Sequence, residues 1–175
     1  MIDRGKLDEI ILKNETNDWW RPEQFVKNTK YLLPKELEIL ADPPAETANY
    51  NCFIYALGLH DDQSLITETG GFIYDTLIKQ LIKEWALEKT THPEAGDLVV
   101  YQDKANYPEH LTHIGVLQSD GSVISKWAWG PLIKHALFDV PASYGNDVFY
   151  LEGISRAYAH ELYEKYKKFN LKPSA

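Results

Sequence analysis

The hydrophobic period of this chain changes at THPEAG (91–96), and that change constrains the fold more than any other feature. Before it, FIYDTLIKQLIKEWALEK sets Tyr74, Leu77, Ile78, Leu81, Ile82 and Trp85 at i, i+3, i+4, i+7, i+8 and i+11, which predicts a helix that buries one face. After it, DLVVYQD, HIGVLQS, SVISKWA and DVFYLEG are short, rich in β-branched and aromatic residues, and bounded by Gly, Pro, Asn and Asp. QSDGSV reads as a tight turn between two of these strands. Residues 155–169 return to a helical pattern, with Ile154, Tyr158, Leu162, Tyr166 and Phe169 on one stripe. Helices, then an antiparallel sheet, then a helix predict an α+β fold.

The 175 residues suffice for one domain with a core of its own. Residues 1–48 read as a lead-in that wraps the body: KLDEIILK is a short amphipathic helix, NDWWRPEQFV carries two tryptophans ahead of a proline, and ADPPAETANY is a connector. Residues 49–175 then form the main domain. Within it CFIYALGL predicts a short helix stopped by Gly58, and HDDQSLITETGG predicts a loop.

The net charge of −8 lacks the basic stripe that phosphate-backbone binding requires, so no nucleic-acid partner is expected. Lys165, Lys167 and Lys168 alternate with Glu161 and Glu164 and read as a solvated helix face. A single cysteine excludes an internal disulfide. There is no basic-then-apolar leader and no apolar run of membrane-spanning length, so a protein without a membrane partner is expected, cytoplasmic or else secreted by a route that needs no such leader. Glycine-rich phosphate loops and the GxSxG elbow are missing as well, and no cofactor is expected.

The cysteine lies in NYNCFIYALGL (49–59). Cys52 falls at the predicted first turn of a helix, with Asn49 or Asn51 as its cap. A helix start and a nearby imidazole both favour the thiolate, the nucleophilic form. The competing reading is a buried, inert thiol, common for free cysteine. Among six histidines, His113 opens the strand HIGVL and would project from a rigid element, as a base for Cys52 must. His60, His92 and His160 read as surface residues. His110 and His113 have spacing that two metal ligands can use, but neither CxxC nor HExxH is present and no metal site is expected. Twelve residues past His113, on the next strand, Ser125 can approach it and orient the imidazole, with Lys126 facing the other way. His135 is another polar candidate, and Trp127 and Trp129 in KWAWG line either a cleft wall or a core.

In order, these motifs are a cysteine at a helix start, then Gly96-Asp97-Leu98-Val99-Val100-Tyr101, then His113-Ile114-Gly115-Val116-Leu117, then Ser125. The order resembles the NlpC-type branch of the papain-like cysteine peptidases and amidases, over roughly residues 48–130. The resemblance implies a papain-like core with a nucleophile helix packed on an antiparallel sheet. It also implies Cys52 as nucleophile, His113 as base and Ser125 as the third residue. Where that family usually reads D-C-S-G-F, this chain reads Asn51-Cys52-Phe53-Ile54-Tyr55. The stretch YNCFIYALG, with Ser125-Lys126, His135 and Tyr144-Gly145, also resembles a bacterial domain group that shares Y-N-C-x-x-x-A-L-G.

The expectation is a thiol-dependent hydrolase cleaving a peptide or other amide, a cell-wall peptide among them, through an acyl-enzyme. The Cys52 amide, with Asn49 or Tyr50, would hold the oxyanion. Lys126, His135, Trp127 and Trp129 complete the expected substrate-binding set. Two alternatives stay open: an acyltransferase using the same pair, and an inactive papain-like fold acting as a protein-binding or immunity-type module.

Overall fold

Seven strands pair antiparallel into one sheet in the computed structural model, which describes residues 2–11 and 19–173. They are β1 (Glu38–Ala41), β2 (Lys89–Thr90), β3 (Leu98–Gln102), β4 (His113–Leu117), β5 (Val123–Lys126), β6 (Leu132–His135) and β7 (Asp147–Leu151), in the order β1-β6-β5-β4-β3-β7-β2. The helices are α1 (Arg4–Ile11), α2 (Pro22–Gln24), α3 (Cys52–Ala56), α4 (Gln63–Thr69), α5 (Asp75–Lys83) and α6 (Arg156–Tyr166). A π-helical turn, Phe25–Thr29, continues from α2. The fold is therefore α+β. The end of the predicted KLDEIILK helix and the start of NDWW fall outside the described residues.

Side chains alternate across a strand, so the sheet has two faces and each needs a cover. Leu98, Val100, Ile114 and Leu151 face a core built with Phe53, Ile54, Leu77, Ile78 and Leu162 of α3, α5 and α6. Val99, Tyr101, Val123, Ile133 and Trp127 face a second core built with Leu7, Ile11, Trp19, Phe25 and Leu37 from the N-terminal segment. At about 1.5–3 kcal/mol per large apolar side chain, each face contributes substantially. The N-terminal segment thus covers one face of the sheet and also adds β1 at its edge, paired with β6.

Three local expectations are corrected. HDDQSLITETGG is not a loop but contains α4: the Asp62 carboxylate caps the Leu65 amide at 3.0 Å and Gly70 ends the helix at φ +61°. The helix of residues 72–89 is shorter than its stripe, because α5 ends at Lys83 and Trp85 takes φ +58° with its side chain in solvent. Around α6, Leu162 is buried and Ile154, Tyr166 and Phe169 pack against the same core as predicted, but Tyr158 is exposed and Ala159 and Tyr163 are buried instead.

Candidate functional site

The site is assembled where two strands part. β3 and β4 pair from Leu98↔Val116 to Tyr101↔His113, and β5 and β6 pair over four residues. Between them, β4 and β5 pair only at Val116↔Ile124 and Leu117↔Val123. Beyond those pairs the start of β4 and the end of β5 do not pair, and α3 packs against both strands. Asn51 sets the entry. Its side-chain oxygen accepts from the Ile54 amide at 3.3 Å, and its Nδ2 donates to the Ile73 carbonyl at 2.7 Å. Of the two predicted caps, Asn51 is the one used.

Cys52 is the first residue of α3 and is 6% exposed. Desolvation pushes its thiol up to about 12, partly offset by the Ile114, Phe53 and Cys52 backbone amides and by the charge of Lys126. Cys52 thus packs in the core that Ile114 of β4 faces.

His113 pairs with Tyr101 in register, and its ring is 5.5 Å from that of Tyr101. On its other side it stacks on Tyr144, with centroids 3.9 Å apart and planes 12° apart. Its Nε2 is buried without a hydrogen-bond partner. Burial, and then the neighbouring His135, hold its pKa well below the ordinary value, so the ring is neutral at neutral pH. The Tyr144 hydroxyl leans toward the Ala128 amide without a well-formed hydrogen bond, and Cys52 lies close enough to influence it. Tyr144, which the sequence marked only as part of the Tyr144-Gly145 motif and not as a site residue, is a member of this site. It reaches Cys52 and His113 through the loop before β7, which α1 fixes: Arg4 Nε donates to the Val140 carbonyl at 2.9 Å, and Asp8 accepts from Ser143.

Lys126 lies on the opposite side of β5 from Ser125 and Trp127 and is 1% exposed. Its Nζ donates to the Gly130 carbonyl at 2.6 Å, to Asn49 Oδ1 at 3.0 Å and to the Ala128 carbonyl at 3.4 Å, and it lies 5.1 Å from the Tyr50 ring centre. Ala128 takes φ +48°, a strained conformation for a residue with a side chain, within this loop. Desolvation lowers the Lys126 pKa to about 7, against the attraction of Cys52. Asn49, expected as an oxyanion donor, is buried and committed: its Oδ1 also accepts from the Tyr50 amide, and its Nδ2 donates to the Trp129 carbonyl at 2.8 Å. Tyr50 is half-buried, its ring between Lys126 and His60.

Ser125 is drawn into a different network from the one expected. His135 Nδ1–H donates to the Ala136 carbonyl at 2.8 Å, which leaves Nε2 to accept from the Ser125 hydroxyl at 2.8 Å. Trp127 Nε1 donates to Ser125 Oγ at 3.1 Å. Among the described residues no hydrogen bond joins Ser125 to His113. Trp127 is fully buried, so it packs in the core and lines no cleft. Trp129 is half-buried and stacks on Phe72, with centroids 5.1 Å apart, and meets the edge of Trp20. No group of three or more His, Cys, Asp or Glu is placed to hold a metal among the described residues. No helix of the described residues is long and apolar enough to cross a membrane.

The buried imidazoles make the fold acid-sensitive. Burial lowers His135 from 6.5 to about 4 and moves His113 the same way. The unfolded chain therefore binds more protons, so the stability is fully present above about pH 6.5 and is lost as pH falls from there toward 4. For His135 alone this is roughly 3 kcal/mol across the window. The urea midpoint should be clearly lower at pH 5.0 than at pH 7.5. Equal midpoints would contradict a neutral, buried His135.

Residues 43–152, more than half of the chain, match the family described as a domain of unknown function, DUF7689. No curated protein and no solved structure matches the chain.

Proposed function

We propose that this chain, which belongs to the DUF7689 family, is a thiol-dependent hydrolase that cleaves an amide bond in a peptide or related substrate. The observation that carries the reading is a stacked pair of buried side chains, His113 and Tyr144, whose Nε2 and hydroxyl have no hydrogen-bond partner among the described residues, with Tyr144 near enough to Cys52 to feel its charge. Such atoms cost about 1–3 kcal/mol each when left without a partner, and a core that only packs has no use for them.

In this mechanism neutral His113 takes the thiol proton of Cys52 at Nε2. The sulfur attacks the carbonyl carbon, and the Cys52 and Phe53 amides receive the developing oxyanion. His113 returns the proton to the leaving amine, which departs as the acyl-enzyme thioester forms. Water, activated by the same ring, then releases the acid. The arrangement supports the papain-like, NlpC-type reading of the core, with a cell-wall stem peptide among the amides to test. An amine in place of water would make the same pair an acyltransferase.

Incubation with p-nitrophenyl acetate, read by intact mass, tests the reading. The wild type should carry one acetyl group on Cys52, Cys52→Ala none, and His113→Ala should acylate about 100-fold more slowly or less. Added hydroxylamine or an amino acid amide would separate hydrolysis from transfer by its product.

One observation favours a second reading, a non-catalytic binding module. Cys52 is almost wholly enclosed and its thiol is pushed up to about 12. Acylation that occurs only after unfolding would select this module.

A further inference from the structure

We propose that Lys126, not an imidazolium, is the cation that holds the Cys52 thiolate, acting as a positioning residue for the nucleophile. This rests on the thiol-hydrolase reading and goes beyond it by naming the charge that activates the thiol.

The argument begins with what surrounds the ammonium. Every acceptor on Lys126 Nζ is neutral: two backbone carbonyls, the Asn49 amide oxygen and the face of the Tyr50 ring. Among the described residues Lys126 has no carboxylate in ion-pair contact, in contrast to the exposed lysines 30, 79, 134 and 167. A cation this deeply buried without a counter-ion is costly, and an aliphatic side chain would fill the same space more cheaply. The three oxygens match the three N–H bonds of an ammonium and aim no proton at an anion already in place. Maintaining the charge fits an anion that forms only during the reaction.

Cys52 is the group that can supply it. Lys126 Nζ is held by Asn49 and the Tyr50 ring, three and two residues before Cys52, on the face of the sheet that packs Cys52, and each of the two groups feels the other's charge. The other titratable groups nearby are poor counter-ions, and His113 and His135 lie on the Ser125 side of the sheet. Tyr50 and Tyr144 are buried phenols with raised pKa values, and His113 and His135 are buried imidazoles with lowered ones. Protonated His113 would also sit close to His135 in a dry environment, so a standing thiolate–imidazolium pair is disfavoured. The division of labour follows. When the Cys52 thiol proton leaves for His113, the sulfur becomes anionic beside Lys126, whose pKa of about 7 the new charge raises toward the ammonium form, and His113 remains free to pass the proton to the leaving amine. Attack on the carbonyl carbon then moves the negative charge from sulfur to oxygen without a proton transfer from Lys126.

The test is the pH profile of Cys52 alkylation by iodoacetamide in the folded protein, read by intact mass, with thermal melts to confirm folding. Lys126→Met should move the midpoint up by about one pH unit, slowing labelling about tenfold near neutrality. Lys126→Arg should restore most of the shift, which loss of packing alone would not allow. A folded Lys126→Met with the wild-type midpoint overturns the proposal while leaving the thiol reading intact. A wild type that labels only after unfolding overturns the thiol reading and this proposal together. Should Lys126→Met not fold, the 13Cε resonance of Lys126 supplies the second measurement. It should titrate at lower pH in Cys52→Ala than in the wild type, and identical titrations would overturn the pairing.

Discussion

Gly145→Ala should leave little folded protein. Gly145 has φ +92° and ψ 179°, a region essentially closed to residues with a side chain. A methyl group there would also run into the Gln102 backbone carbonyl and the Asp103 amide. Those atoms cannot withdraw freely, because Gln102 pairs with Asp147 at the end of the β3–β7 ladder. Backbone strain of about 1–3 kcal/mol and a collision with backbone add to a loss of about 4 kcal/mol or more, a large part of ordinary domain stability. Gly121 is the control. It has φ +80° but nothing within 4 Å of its added methyl, so Gly121→Ala should cost only about 1–2 kcal/mol. Urea denaturation of both variants checks the difference. Similar losses would mean that the contact with Gln102 is not rigid. The outcome bears on the site, since Gly145 follows Tyr144 and fixes the loop that presses that ring against His113.

Ser125→Ala should be the second large effect, and it should appear in stability first. The substitution removes the acceptor for Trp127 Nε1 and the donor to His135 Nε2, leaving two buried polar atoms unsatisfied. At about 1–3 kcal/mol for each, the expected loss is about 2–6 kcal/mol. Ser125→Ala combined with His135→Leu should lose less than the sum of the single losses, because the second substitution removes one of the orphaned atoms. Urea curves for the four proteins measure this. A Ser125→Ala protein of wild-type stability with slow acylation would instead give Ser125 the role of orienting His113.

The contrast between Ser125 and Lys126 shows how far the sequence reaches. Strand alternation predicts that the two face opposite ways, and they do. It does not say which face lies toward the cysteine. That depends on which layer covers each side: the N-terminal segment and Trp127 take the Ser125 side, while Asn49 and Tyr50 take the Lys126 side. The same limit applies to Trp127 and Trp129, two apart in sequence, one enclosed and the other stacked at the edge on Phe72. α4 was within reach of local reading, since Asp62 and Gly70 are ordinary start and stop signals. The break between β4 and β5 was not, because a lapse in pairing leaves no mark on the alternation of either strand.

The sequence by itself determined the change from helical to alternating period, hence the α+β class, and an asparagine cap, Asn49 or Asn51, that puts Cys52 at a helix start. It also placed His113 at the opening of a strand. These follow from local rules: period, capping and turn chemistry act over a few residues. The tertiary structure alone decided that Tyr144 lies under His113, that Ser125 serves His135, and that Lys126 is buried on the Cys52 side of the sheet without a counter-ion among the described residues. Desolvation and hydrogen-bond partnership depend on what every layer brings to one point in space, and residues from 49 to 144 meet there only once the sheet is covered on both faces.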